Sequence, residues 1–234
     1  DYTDGSGNLD DITISAGSTT GSINFIRSDD SVYEGDETAT IAISSVSGGS
    51  ATESGSQSVT ITIQDNESAG SVTLSVSATS IAENAGSSLT ITATLSGAAD
   101  EDVTVALSTS GTATEGTDYT DGSGNIDDIT ISAGSTTSTV NFTPTDDSVY
   151  EGNETATIAI SSVSGGDATE SGDQSVTVTI TENDSAPTVT LSVSATSIAE
   201  NAGSSLTLTA TLSGAADEAV TVALSTSGTA TEGP

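Results

Sequence analysis

Cysteine, histidine, methionine and tryptophan are missing from this 234-residue chain, and its basic side chains reduce to one, Arg27. Without cysteine no disulfide can stabilise the fold, and without cysteine or histidine a zinc site would need carboxylates alone. A hard cation held by oxygen is the metal chemistry left open. The 34 Asp and Glu against one basic residue give a formal net charge of −33, which excludes electrostatic binding to nucleic acid or anionic lipid. Partners should be cations or neutral surfaces. No apolar run approaches membrane-spanning length, so no membrane insertion is expected in this segment. Catalysis has little to work with. No His or Lys stands ready as base beside a serine, no Gly-rich phosphate loop precedes a helix, and aromatics at 3% provide no platforms for a carboxylate-based glycosidase cleft. The chain is expected not to be an enzyme.

What is abundant is Thr and Ser alternating with Val, Ile and Leu. Low hydrophobicity with high charge would ordinarily point to disorder, but this alternation is strand chemistry. The string VTLSVSATSIAENAGSSLT begins at Val72 and again at Val189, an offset of 117. Residues 1–117 and 118–234 differ at 19 positions, so 98 of 117 match, which marks an array expanded by duplication. Small-residue hinges at Ser68-Ala69-Gly70 and Ser185-Ala186-Pro187 place the junctions. The expected division is the C-terminal half of a repeat over 1–69, a complete repeat over 70–187, and the N-terminal half of a further repeat over 188–234.

Within 70–187, seven segments alternate with period two: Val72/Leu74/Val76, Leu89/Ile91/Ala93/Leu95, Val103/Val105/Leu107, Ile129/Ile131, Val140/Phe142, Ala156/Ile158/Ile160 and Val176/Val178/Ile180. Gly, Asn and Asp turns separate them, and no 3.6-residue pattern competes. The pattern predicts an all-β chain of tandem antiparallel sandwiches of immunoglobulin-like size, arranged as beads in a linear array.

The carboxylates gather at the predicted strand ends: Ala82-Glu83-Asn84, Thr117-Asp118-Tyr119, Thr145 through Glu154, and Thr181-Glu182-Asn183-Asp184. The clusters at 83, 151 and 184 would meet at one pole if the first, fifth-to-sixth and last connections share an end of the sandwich. Calcium takes six to eight oxygens in irregular geometry and suits such a nest. A solvated acidic surface is the competing reading. Tyr2, Tyr33, Tyr119 and Tyr150 sit beside the acidic blocks, either to pack the loop bases or to cover a site.

Four ordered blocks resemble the Calx-beta repeat: Ser80-Ile81-Ala82-Glu83-Asn84-Ala85-Gly86, Gly111-Thr112-Ala113 through Asp118-Tyr119, Asp146 through Thr155, and Ile180-Thr181-Glu182-Asn183-Asp184. The resemblance implies a seven-stranded sandwich and calcium as the bound cofactor. Carried over block by block, it implies Glu83, Asp118, Asp146, Asp147, Glu151, Glu154, Glu182 and Asp184 as ligands in the complete repeat. In the leading half it implies Asp1, Asp29, Asp30, Glu34, Glu37, Asp65 and Glu67, and in the trailing half Glu200. Asn66 and Asn183 stand where strong binders of the family place another acid. Two functions are compatible with this reading. One is a structural module of an extracellular, secreted or cell-surface filament or stalk, its partners being neighbouring repeats or identical chains head-to-tail. The other is a calcium-dependent adhesin repeat that binds glycans or other cells. An open-ended array is expected, as one long chain or as a head-to-tail polymer.

Overall fold

The computed structural model describes residues 1–201 and 203–231, so the ends of the notional division at 234 lie outside the described residues. The leading segment contributes β1 (Tyr2–Thr3), β2 (Ile26–Arg27), β3 (Val32–Tyr33), β4 (Glu37–Ala42) and β5 (Ser58–Ile63). The central repeat follows with β6 (Ser71–Val76), β7 (Ser80–Ala82), β8 (Leu89–Leu95), β9 (Ala98–Ala99), β10 (Val103–Gly111) and β11 (Tyr119–Thr120). It continues through β12 (Ile129–Ile131), β13 (Thr137–Pro144), β14 (Val149–Tyr150), β15 (Glu154–Ser164), β16 (Thr169–Glu170) and β17 (Ser175–Thr181). The trailing segment has β18 (Val189–Val193), β19 (Leu208–Leu212) and β20 (Ala215–Ala216). No helix among the described residues is long and apolar enough to cross a membrane.

All seven alternating segments of the central repeat are strands, and they form a sandwich of two sheets. One sheet runs β12-β10-β15-β17-β7 and the other β11-β13-β8-β6-β16. Each has five strands where the pattern alone supplied seven in total, because three short edge pieces, β7, β11 and β16, complete the layers. β7 lies parallel to β17, with Ile81 opposite Ile180, and β16 lies parallel to β6. The long strands pair antiparallel.

Alternation turns one side chain in two inward. Ile91, Ala93 and Leu95 of β8 face Ile129 and Ile131 of β12, Ala156 and Ile158 of β15 and Val178 of β17, all buried. Thr and Ser occupy the outer face, where Thr157 and Thr177 hydroxyls meet across β15 and β17 at 2.9 Å. The scarce aromatics close the end of this aliphatic core. Tyr119 stacks on Phe142 with ring centroids 4.7 Å apart, both fully buried, and Tyr2 stacks on Phe25 at the same 4.7 Å in the leading segment. Such a stack adds roughly 0.5–1.5 kcal/mol beyond area burial.

β10 carries a bulge between Ala106 and Leu107 where it meets β15, and the Asp128 carboxylate accepts the Leu107 amide there at 2.9 Å. Gly111 ends β10 at φ +133°, and a Cβ there would stand 2.0 Å from the Thr155 carbonyl oxygen. Only glycine lets this strand turn so close beneath β15.

The flanking segments show the same side chains without their covering sheet. Leu191 and Leu208 are 56% and 58% exposed, whereas Leu74 and Ile91, 117 positions earlier, are 8% and 0% exposed. Every large hydrophobic side chain found exposed lies in 1–67 or 188–231 and none in the central repeat. Successive repeats also touch: β3 pairs in parallel with β9, and β14 with β20.

Candidate metal centre

Four chain segments deliver carboxylates to one end of the central sandwich. Glu83 follows β7, and its amide donates to the Thr181 carbonyl at 3.0 Å, which sets its side chain beside the end of β17 where Glu182 and Asp184 follow. Asp118 precedes β11, and residues 146–154 run through β14 into the start of β15.

Three triads result, each with one oxygen per residue within 4.8 Å of the others: Glu83/Glu182/Asp184, Glu83/Asp147/Glu151 and Asp118/Glu151/Glu154. Glu83 belongs to two triads and Glu151 to two, so they form one continuous string. Asp146 belongs to none of them, although its charge acts on Asp184. In the leading segment Asp1, Glu34 and Glu37 make the counterpart of the third triad. Together with Asp29, Asp30, Asp65 and Glu67 they line a cavity of about 40 Å³. Glu200 is exposed and joins no cluster among the described residues, since the loops that surround Glu83 have no counterpart beside it. Asn183 points to solvent.

The backbone holds this string in place. Glu182 Oε2 accepts the amides of Glu151 at 2.6 Å and Gly152 at 2.9 Å, while Oε1 accepts the Asp184 amide at 2.7 Å. Asp65 takes the equivalent amides of Glu34, Gly35 and Glu67 at 2.8, 2.7 and 2.9 Å. The Asp-to-Glu change between copies therefore preserves the three backbone-amide contacts. Sequence reasoning missed one organiser: Asn153 Oδ1 accepts the Glu182 amide at 3.0 Å, and Asp36 does the same for Asp65 at 3.1 Å. The available signal was a position that keeps an acceptor while losing its charge.

Crowding sets the electrostatics. Burial, then the charges of Asp118, Asp147, Glu83 and Asp217, push Glu151 up to about 7. Burial, then Asp118, pushes Glu154 to about 7 as well. Glu83, itself 5% exposed, is raised mainly by burial. Glu182 moves the other way: burial pushes it up, but the Glu151, Asp184 and Gly152 amides outweigh that and hold it below the ordinary carboxylate range. Asp65 is held at about 2, first by the Glu67 amide.

Asp184 Oδ2 is buried without a hydrogen-bond donor. An orphaned acceptor of this kind costs free energy unless a cation meets it. The donor set is entirely oxygen, supplied by flexible loops and crowded with like charge, and these features fit calcium. A calcium ion would be held by carboxylates of Glu83, Asp147, Glu151, Glu182 and Asp184, and at the far end of the string by Asp118, Glu151 and Glu154.

The Calx-beta domain profile matches residues 1–67, 65–184 and 182–234. The chain belongs to the Calx-beta family. Among solved structures, the apo-form Calx CBD1 domain is similar at 22% identity and TM-score 0.40, the alignment covering 48% of this chain and 98% of that one. The CBD12 structure from CALX1.2 gives the same identity and TM-score, again over 48% of this chain but only 44% of that one. No curated protein matches the chain. Calx-beta repeats are calcium-binding modules, and the acidic string of this chain lies where three of the four blocks of the resemblance converge with the Asp118 block.

Proposed function

We propose that this Calx-beta chain is a non-catalytic structural segment of an extracellular filament, stalk or surface fibre, with calcium bound at the acidic pole of each repeat. The observation that supports it most is the continuous string of carboxylates from Asp118 to Asp184, which includes an orphaned buried oxygen. Without a cation the string opposes its own assembly, as the raised Glu151 and Glu154 record. A divalent ion reverses the sign of that interaction and ties β7, the 146–154 loop and the end of β17 together. The near-identity of the copies favours a repeated structural unit over a specialised ligand site, because no surface is set apart for a ligand.

Differential scanning calorimetry tests this reading. Excess calcium should raise the melting temperature of the chelated protein by more than about ten degrees, through linkage of ion binding to the folded state. An unchanged transition would rule calcium out as a structural component.

A further inference from the structure

The acidic loop of each repeat reaches beyond its own sandwich. Val32 and Tyr33 of β3 pair in parallel with Ala98 and Ala99 of β9, which lies in the loop that crosses from β8 in one sheet to β10 in the other in the next repeat. Val149 and Tyr150 pair with Ala215 and Ala216 in the same register, 117 residues further on. The Asp100 amide donates to the Tyr33 carbonyl at 3.1 Å, and the Asp217 amide to the Tyr150 carbonyl at 3.4 Å. Two junctions of near-identical sequence thus use the same residues in the same way.

The receiving surface is built to be approached. Ala98 and Ala99 present no bulk above the backbone, so a second chain can lie against them. The segment is fixed in its own repeat, with Ala99 2% exposed and its carbonyl accepting the Gly134 amide at 2.8 Å. The neighbouring turn packs close: a Cβ at Gly166 would lie 2.6 Å from the Ala99 Cβ. That turn presents Asp167 at φ +48°, and the Asp167 carboxylate accepts the Tyr33 hydroxyl at 3.0 Å. The leading segment has Ser50 at the equivalent position, also at positive φ (56°). A serine hydroxyl is shorter and uncharged, so it is the weaker acceptor.

We propose that the Val-Tyr pair of each acidic loop and the Ala-Ala segment of the crossover loop in the following repeat form a directional docking interface that holds consecutive repeats in one orientation, with Tyr33 and Asp167 as its latch. The partner is the next Calx-beta repeat. The two faces are different, so the contact is heterologous and runs in one direction from each repeat to the next. None of its hydrogen bonds uses a carboxylate of the triads, so it is expected in chelator as well as in calcium, although it brings the charge of Asp100 to bear on Glu34 and that of Asp217 on Glu151. This separates it from the ion-binding proposal: calorimetry can fail to detect calcium while the docking stands.

The test uses the whole 234-residue chain in chelator and again in calcium. Spin labels at Ser54→Cys and Ser135→Cys, one on each side of the first junction, should give a single narrow distance distribution. Tyr33→Phe and Asp167→Ser should each broaden it, and each should accelerate hydrogen exchange at the Asp100 amide about tenfold, the loss expected for one charge-assisted hydrogen bond. The Leu95 amide, bonded within the central repeat to the Thr136 carbonyl, serves as the control and should stay unchanged. A broad distribution in the unsubstituted chain, or an Asp100 amide that exchanges freely and ignores both substitutions, would overturn the proposal.

Discussion

Two carboxylates of the central repeat, Glu151 and Asp128, separate a ligand from a structural acceptor. Glu151 sits in two triads, whereas Asp128 spends its oxygen on the Leu107 amide at the bulge of β10. Glu151→Gln should therefore weaken calcium binding by tenfold or more in isothermal titration, an order-of-magnitude expectation for one lost charged ligand. Asp128→Ala should leave calcium binding unchanged and lower stability by about 1–2 kcal/mol by urea denaturation, because it orphans a strand amide. Equal losses of binding would mean that the acid acts only as diffuse charge. The same residues set a pH response. Glu151 and Glu154, raised to about 7 in the folded protein, keep protons that the unfolded chain gives up at ordinary glutamate values. In chelator the folded state thus binds more protons across that interval, and stability falls as pH rises from about 4.5 to 7. Calcium competes with those protons, so its affinity should drop as pH falls below 7. Thermal melts at pH 5 and pH 7.5, with and without calcium, check both signs.

At the scale of elements, the long strands were legible because alternation of Val or Ile with Thr is local. The seven apolar sets became β6, β8, β10, β12, β13, β15 and β17 without a shift of face. The short edge pieces were not legible. β7 has one inward apolar residue, Ile81, and its partner β17 lies about a hundred residues on, so nothing nearby announces the pairing. The docking of β3 on β9 was hidden for the same reason, and the Asp167-for-Ser50 difference carried no meaning until Tyr33 was seen to reach it. The acidic blocks were legible as blocks, and three triads join them. That Glu182 spends both oxygens on backbone amides, and that Asn153 aims it, could only come from the loop's path. Where β10 turns under β15, Gly111→Ala puts a methyl 2.0 Å from the Thr155 carbonyl oxygen at a φ of +133°. A loss of more than about 2 kcal/mol in chemical denaturation is expected, since both sterics and backbone conformation oppose the change.

At the scale of the molecule, a complete core needs both halves of a repeat. The buried set from Val72 to Ile180 is drawn wholly from the central repeat, and apart from Ala39 the flanking segments leave the equivalent faces largely bare. The chain enters that core through β6 and β7 and leaves it through β17. Since β6 is parallel to β16 and β7 to β17, the first strands lie alongside the last ones, pointing the same way. Tension applied between the ends of the repeat then pulls these neighbours past each other along their lengths. Their hydrogen bonds, including Thr179 amide to Thr79 carbonyl at 2.9 Å and Glu83 amide to Thr181 carbonyl at 3.0 Å, are loaded together in shear and cannot be unzipped singly. The Glu83/Glu182/Asp184 triad sits where both sheared strands end, so an ion there would rivet the two together. In single-molecule stretching, the central repeat should rupture at markedly higher force in calcium than in chelator, and Glu83→Gln should erase most of that difference. Equal rupture forces in the two solutions would mean that the ion, wherever it binds, bears none of the load.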